Sequence, residues 1–154
     1  MSGIEVPRVG RTLIIDAEGA VLGRLATYVS KLLQEGYRVY VVNIEKAVVS
    51  GEKRMVIEGY RVWLRIKTLR NPQKRSPKRP RNPISIFKRT VKGMLPKNFL
   101  KGREALTHLK AYIGVPEELA GKKMIRVADA DFRRRLKGEY VTLAEIARAM
   151  GWKG

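Results

Sequence analysis

Residues 12–43 read TLIIDAEGAVLGRLATYVSKLLQEGYRVYVVN, and this stretch predicts the fold class of the 154-residue chain. Its first six residues, TLIIDA, form a short apolar run that predicts a buried strand. Residues 37–43, YRVYVVN, are aromatic and β-branched, as expected of a strand buried on both faces. Between them, apolar residues recur at helical spacing up to Gly36, which suits the position just after a helix. The stretch therefore predicts a βαβ unit with two parallel strands.

The next segment predicts one more strand, one more helix and a loop. Residues 47–50, AVVS, are expected to add a third short strand, with Ser50 capping a helix over about residues 52–67. Residues 67–81 contain Pro72, Pro77 and Pro80 among seven Lys and Arg. We expect an irregular, extended loop there, because proline interrupts helices and favours extended backbone.

The remaining elements are predicted from caps and periodicity. Asn82 and Pro83 are typical of a helix start, and Gly93 is expected to end that helix. Thr142 and Glu145 form the pattern of a capping box before a last helix that Gly151 ends. A helix over residues 101–110, a strand over 111–115 and a less clear strand over 123–128 complete the prediction. These elements predict one α/β domain with a mostly parallel sheet and helices on both faces.

Residues 59–103 carry most of the positive charge. They hold fifteen Lys and Arg and no Asp or Glu, so they account for +15 of the formal net charge of +19. Five of the seven prolines lie in the same stretch. Because such a segment repels itself and has little apolar surface at its centre, we expect it to become ordered against a polyanion. RNA is the most abundant polyanion in a cell, so the stretch predicts RNA binding.

Composition argues against several other classes of protein. No apolar run approaches the roughly 20 residues that span a bilayer, and the prolines disfavour a long amphipathic helix, so we expect no membrane partner. The chain has no Cys, which excludes disulfides and thiolate metal sites. Residues 1–11, MSGIEVPRVGR, contain no apolar core of a secretory signal. The expected location is the cytoplasm.

Twelve basic residues are candidates for RNA contact, because Lys and Arg neutralise phosphates and release condensed counterions. Such contacts position a protein on RNA without reading its sequence. Tyr60, Trp63 and Phe87 could stack on bases, but their helical spacing with other apolar residues favours the core. A plain solvated loop is the alternative for the basic stretch. The candidates are Arg24, Lys53, Arg70, Lys74, Arg75, Lys78, Arg79, Arg81, Lys88, Arg89, Lys92 and Lys97.

The turn over residues 16–24, DAEGAVLGR, lies between a strand and a helix, where phosphate-binding loops occur. It does not match a P-loop, because only three residues separate Gly19 from Gly23 and Arg24-Leu25 follows. The dinucleotide pattern G-x-G-x-x-G is also absent. We expect no cofactor and no small-molecule substrate. The helix start with Arg24 is expected to hold one backbone phosphate of a large RNA.

Catalytic chemistry has little support in the sequence. His108 is the only histidine and has no carboxylate close in sequence, which favours a structural or surface role. Asp129 and Asp131 would share one face of a strand, as in a metal-dependent nuclease. A turn, or salt bridges to residues 133–135, is the plainer explanation. We predict no catalytic residue and no metal site, and keep a free-standing RNA-binding or metal-dependent RNA-processing protein as the alternative.

Four short motifs occur along the chain, namely DAEGAVLGRLA at residues 16–26, VVN at 41–43, SGEK at 50–53 and RTVKGMLP at 89–96. Together they resemble the motifs of the universal large-subunit ribosomal protein thirteen family. Gly102, Ala105, Leu109, Tyr112, Gly114 and Pro116 follow in the same order and spacing. The similarity runs from about residue 12 to residue 116, and the Gly-Met-Leu-Pro block after a basic helix is its most specific part.

The resemblance implies a three-layer α/β/α fold with a four-stranded parallel sheet. It also implies a non-enzymatic, structural protein that binds large-subunit ribosomal RNA during assembly, beside neighbouring ribosomal proteins. By motif, the RNA contacts of the family correspond to Arg24, Lys53, Arg89 and Lys92. The other candidates depend on the charge argument alone.

The end of the chain differs from the bacterial pattern. A His-Pro-His segment is missing, and about 38 residues follow Pro116, which resembles the archaeal and eukaryotic branch. We therefore divide the chain into a single α/β domain over 1–154, a basic RNA-binding extension over about 67–99 and a C-terminal tail over about 117–154. The tail, with its basic cluster FRRRLK at 132–137, is expected to contact RNA or a neighbouring ribosomal protein.

Overall fold

A computed structural model describes residues 12–154, and the expectation about a secretory signal in residues 1–11 lies outside the described residues. The strands of this part are β1 (Thr12–Asp16), β2 (Arg38–Val42), β3 (Val48–Ser50), β4 (Leu109–Ala111) and β5 (Tyr140–Thr142). Its helices are α1 (Leu22–Gln34), α2 (Lys53–Arg65), α3 (Pro72–Arg75), α4 (Pro83–Met94), α5 (Leu100–Thr107), α6 (Phe132–Arg135) and α7 (Leu143–Ala149). None of these helices is long and apolar enough to cross a bilayer.

The predicted βαβ unit is confirmed. Strands β1 and β2 pair in parallel from Thr12 opposite Arg38 to Asp16 opposite Val42, and α1 forms the crossover between them. Strand β4 pairs in parallel with the other edge of β2, so the strand order is β1-β2-β4. It begins two residues earlier than predicted, because α5 already ends at Thr107.

The two faces of this sheet are covered differently. Leu13 and Ile15 of β1 belong to the main core, which also contains buried residues of α1, α4, α5 and α7. Ile14 points to the opposite face, where it packs with Leu119 and Met124, which lie outside helices. The expected helices on both faces are therefore not found in the part of the chain described. Turns after Pro116 cover the second face instead.

The expected four-stranded parallel sheet is observed with three strands. The fourth position is occupied only at Ile125, which forms an isolated parallel bridge with Ile15. Two backbone hydrogen bonds hold it, from the Ile125 amide to the Ile14 carbonyl (2.8 Å) and from the Asp16 amide to the Ile125 carbonyl (2.9 Å). The next residue, Arg126, forms ion pairs with Asp16 and Glu18 at the end of the sheet.

The third predicted strand belongs to a different sheet. Strand β3 pairs antiparallel with β5 near the C-terminus, with Val48 opposite Thr142 and Ser50 opposite Tyr140. After β2, Asn43 adopts a left-handed conformation with a φ of 56°, and a short 3-10 turn follows. This turn redirects the chain away from the parallel sheet before β3 begins.

Residues near the C-terminus complete the main core. Val141 of β5 and Leu143, Ile146 and Ala147 of α7 are fully buried, and Met150 is nearly so. The capping box of α7 is confirmed, because Thr142 Oγ1 accepts from the Glu145 amide and the Glu145 side chain accepts from the Thr142 amide. The segment after residue 117 is thus an integral part of the packed structure.

The predicted start of α4 is confirmed, but its predicted end at Gly93 is wrong, because the helix continues to Met94 and Leu95 is its C-cap. Asn82 Oδ1 accepts from the Ser85 amide at 2.7 Å, and Pro83 is the first residue of α4. The predicted cap of α2 is wrong. Ser50 lies in β3, Gly51 turns the chain with a φ of +127°, and Glu52 holds the cap position without a side-chain hydrogen bond.

Candidate nucleic-acid interface

The predicted RNA-binding residues lie mainly on the surface. Arg79 and Lys88 are half-buried, and the other ten are exposed. Within residues 12–154, only Lys53 of the twelve has a carboxylate within 4.0 Å, that of Glu145. Because carboxylates do not compensate the other eleven at short range in this part of the chain, their charge is available to an external polyanion.

Helix α4 presents basic side chains from a firmly anchored scaffold. Its residues Phe87 and Val91 are completely buried, and Ile86 is nearly so. Arg89 and Lys92 are exposed on the same helix. The apolar side chains hold the helix in the core, so its charged side chains stand at defined positions instead of following a mobile loop.

A groove between α4 and α5 collects four cations. Its volume is about 750 Å³.

 The cations are Arg89 and Lys92 of α4, Lys97 of the connecting segment and Arg103 of α5. We call this the basic groove. Its concave shape brings charges that are distant in sequence onto one surface, where they can contact successive phosphates of an RNA strand.

Sequence reasoning missed Arg103 as a member of this groove. The residue lies at the end of the stretch that has no Asp or Glu, and this was the only indication of its role. Its place beside Lys97 depends on how α5 folds back against α4.

Gly102 allows that close approach. A Cβ atom built on Gly102 would lie 1.9 Å from the carbonyl oxygen of Pro96, which is far inside van der Waals contact. The contact is with backbone, so no side chain can move aside to accommodate a methyl group. The Gly-Met-Leu-Pro turn and α5 can therefore pack together only if residue 102 is glycine.

Replacing Gly102 with alanine is expected to destabilise the protein by about 1–3 kcal/mol, the usual cost of forcing extra volume into a packed site. The measurement is the free energy of unfolding in denaturant. Gly59→Ala in α2 is the matched control, because a Cβ there meets nothing within 4 Å. The control should be neutral or up to about 1 kcal/mol more stable, since alanine favours helix. Equal stability of the two variants would contradict the close approach.

The loop over residues 67–81 is less irregular than predicted. It contains the short helix α3, whose cap Asn71 accepts from the Lys74 amide at 3.2 Å. The Thr68 amide donates to Ser76 Oγ at 3.3 Å and so closes the loop on itself. Arg89 Nη2 donates to the Lys78 carbonyl oxygen at 2.7 Å. Arg89 thus fixes the loop to α4, a structural role that its motif did not predict.

The three aromatic residues near this surface have different environments. Phe87 is completely buried, which confirms its predicted core position. Tyr60 is partly buried and packs against the main core. The same prediction is wrong for Trp63, whose exposed fraction is 52%. The guanidinium carbon of Arg79 lies 4.6 Å from the centre of the Trp63 ring.

The polar groups of the turn after β1 form hydrogen bonds within the protein. The Gly19 amide donates to the Lys46 carbonyl and the Ala20 amide to the Ala17 carbonyl. Asp16 Oδ1 accepts from the Glu18 amide at 3.0 Å, and Arg126 pairs with Oδ2 at 3.1 Å. Burial alone would raise the pKa of Asp16, but these hydrogen bonds and the Arg126 charge outweigh it, so the pKa is lowered. This arrangement explains why the turn does not form a phosphate cradle.

Asp129 and Asp131 have structural partners. Asp129 accepts from the Tyr28 hydroxyl and pairs with Arg135. The hydrogen bond lowers the pKa of Asp129 and raises that of Tyr28, because it favours the ionised carboxylate and the neutral phenol. Asp131 caps α6 by accepting from the Arg133 amide at 3.0 Å. These contacts confirm the plainer explanation, a turn with a salt bridge to a neighbouring arginine.

The remaining titratable residues of the described part do not suggest a metal centre or a catalytic set. His108 is the C-cap residue of α5, and its carbonyl accepts from the Val39 amide at 3.1 Å, in keeping with the predicted structural or surface role. Across residues 12–154, no three His, Asp or Glu side chains are grouped so that they could hold a metal ion.

Comparison with known proteins supplies the family. The family model described as Ribosomal protein L13 matches residues 10–118 of this chain. Large ribosomal subunit protein uL13 of Sulfolobus acidocaldarius is 54% identical over 139 residues, which cover 90% of this chain and 93% of that protein. The protein of the same name from Saccharolobus solfataricus is 51% identical over 144 residues, 94% of this chain and 95% of that one.

A third relative extends the similarity to nearly the whole chain. Large ribosomal subunit protein uL13 of Archaeoglobus fulgidus is 44% identical over 157 aligned positions, and the alignment covers 98% of each chain. The segment after residue 118, which the family description does not reach, is therefore shared with archaeal relatives. The resemblance of the four motifs is confirmed, and the chain belongs to the ribosomal protein L13 family.

Proposed function

We propose that this chain is a structural constituent of the large ribosomal subunit and that it binds large-subunit ribosomal RNA through the basic groove and the adjoining loop. The observation that carries the proposal is the groove itself, in which Arg89, Lys92, Lys97 and Arg103 surround one cavity of about 750 Å³. Its close relatives are named as large ribosomal subunit proteins. The L13 family is not a family of enzymes, in keeping with the expected absence of activity.

The regions of the chain have different roles in the proposed function. The α/β body holds the protein on the particle, and the basic extension over about residues 67–99 follows RNA. The loop candidates are Arg70, Lys74, Arg75, Lys78, Arg79 and Arg81, which would neutralise phosphates beyond the groove. Lys88 lies beside them on α4, while Lys53 and Arg24 would make separate phosphate contacts through the family motifs.

The C-terminal region has a second role in this proposal. Its packed part completes the core, whereas Arg133 and Arg134 of the basic cluster are exposed. We propose that this cluster contacts RNA or a neighbouring ribosomal protein. The cellular location of the chain is then that of the ribosome, in the cytoplasm.

Sedimentation of the tagged full chain in native cell extract tests the proposal. We expect the protein to migrate with the large subunit at moderate salt and to remain there at high salt. Binding that depended on exposed charge alone would be lost as salt rises, because counterion release makes such binding strongly salt-dependent. Migration at the top of the gradient at moderate salt would overturn the assignment to the large subunit.

A further inference from the structure

Trp63 has an exposed aromatic ring beside the basic loop. Its exposed fraction of 52% is high for a large apolar side chain on a helix that packs against the body. The guanidinium of Arg79 lies over the ring at 4.6 Å from its centre. Aromatic rings in positively charged grooves stack on the bases of single-stranded RNA, and arginine adds cation–π contacts there.

A small cavity adjoins this pair. Its volume is about 250 Å³, and its walls come from α2, the basic loop, α4 and the end of α7. The polar groups on it are Tyr60, Arg79, Arg89 and Thr90, and no carboxylate lines it. Burial raises the pKa of Tyr60, so its hydroxyl stays neutral at physiological pH. The cavity therefore offers hydrogen-bond donors and positive charge to a neutral or anionic ligand.

The Arg79 side chain has no acceptor within the described residues for its buried Nε atom. The residue is half-buried and lines the cavity, so the side chain is accessible to a ligand there. RNA carries acceptors for a guanidinium on base edges, phosphates and 2′-hydroxyls.

We infer that Trp63 and Arg79 form a subsite for one unpaired nucleotide of the bound RNA. Its base stacks on the Trp63 ring, and an acceptor of the same nucleotide receives a hydrogen bond from the Arg79 guanidinium. This inference rests on the proposed function and deepens it, because it adds an aromatic contact to a surface otherwise described by charge. Arg89 lines both this cavity and the basic groove, so the subsite adjoins the groove.

The affinity of the full chain for large-subunit ribosomal RNA tests the subsite. Replacing Trp63 with alanine is expected to weaken binding by roughly 5- to 150-fold, the usual effect of removing one stacking aromatic. Trp63→Phe should restore most of the affinity. The dependence of binding on salt should stay unchanged, because no charge is removed. Met55→Ala is the matched control, since Met55 is an exposed apolar residue of the same helix.

Fluorescence provides a direct measure of stacking. The chain has two tryptophans, so a Trp152→Phe variant leaves Trp63 as the only one. A short single-stranded oligoribonucleotide should quench its fluorescence, and an abasic oligonucleotide of the same length should not. Equal quenching by both would overturn the stacking contact. Thermal unfolding of each variant shows whether the fold is retained.

The outcomes separate this inference from the proposed function. If the wild-type chain migrates with the large subunit but Trp63→Ala binds RNA with unchanged affinity, the nucleotide subsite is wrong and the proposed function stands. If Trp63→Ala keeps its affinity for naked RNA but enters subunits poorly, Trp63 contacts a protein and the subsite is again wrong. If the wild-type chain neither binds the RNA nor migrates with the subunit, the proposed function fails.

Discussion

Deleting residues 119–154 is expected to leave a chain that does not fold. The deletion removes β5, α6 and α7 and, with them, six large buried side chains of the two hydrophobic clusters. Each such side chain contributes about 1.5–3 kcal/mol when buried, so their loss removes about 9–18 kcal/mol. A domain of this size is stable by only about 5–15 kcal/mol. The removed side chains are Leu119, Val127, Val141, Leu143, Ile146 and Met150.

Circular dichroism and denaturant unfolding of the purified chain measure this effect. The truncated chain should show no cooperative transition, while removal of only Lys153 and Gly154, both exposed, should change little. Strand β3 explains part of the loss, because its antiparallel partner is β5 and the truncation leaves its edge unpaired. A cooperative transition near that of the full chain would show that the C-terminal segment is a dispensable addition.

Reversing the charge of the basic groove should have the second large effect. We consider a triple variant that combines Lys92→Glu, Lys97→Glu and Arg103→Glu. In this variant three attractive contacts with phosphates become repulsive. An ion pair in water is worth about 1 kcal/mol, so each contact loses about 1 kcal/mol of attraction and can gain a similar repulsion. The affinity for large-subunit ribosomal RNA should therefore fall by about 10²–10⁴-fold. Arg89 is left unchanged because it also holds the loop through the Lys78 carbonyl.

The salt dependence of binding identifies the cause. Each phosphate contact contributes about 0.7–0.9 to the slope of log affinity against log salt, so the variant should lose about 2–3 from that slope. A second triple variant, with Arg38, Lys122 and Lys123 changed to Glu, has the same net charge and alters exposed residues outside the groove. Equal loss of affinity in both variants would mean that net charge, and not the groove, governs binding.

Local sequence patterns predicted most of the secondary structure. The apolar periodicity of residues 22–33 and the two flanking apolar runs were sufficient for the βαβ unit, because each pattern matches only one way to bury its side chains. Asn82 with Pro83, and Thr142 with Glu145, located two helix starts correctly, because a cap acts within four residues of chain. The positive charge of the basic stretch could also be predicted from local sequence, because the stretch contains no Asp or Glu that would compensate it.

Local sequence patterns could not predict the contacts between segments that are distant in the chain. The pairing of β3 with β5, the single bridge at Ile125 and the turns over the second face of the sheet all depend on residues far apart in the chain. Trp63 shows the same limit, because its helical spacing favours the core but only the packing of α2 against α7 determines which side of the helix is covered.

The amino-acid sequence alone was enough to establish the α/β class, the cationic character of the chain and the family to which it belongs. Which cations share a surface depends on how the chain packs. Arg103 joins Lys97 in the basic groove because Gly102 lets α5 pack directly on the Pro96 carbonyl, and Arg79 meets Trp63 because the loop is fixed to α4. Charge and periodicity are properties of neighbouring residues, whereas a binding surface is formed by packing between segments that are separate in sequence.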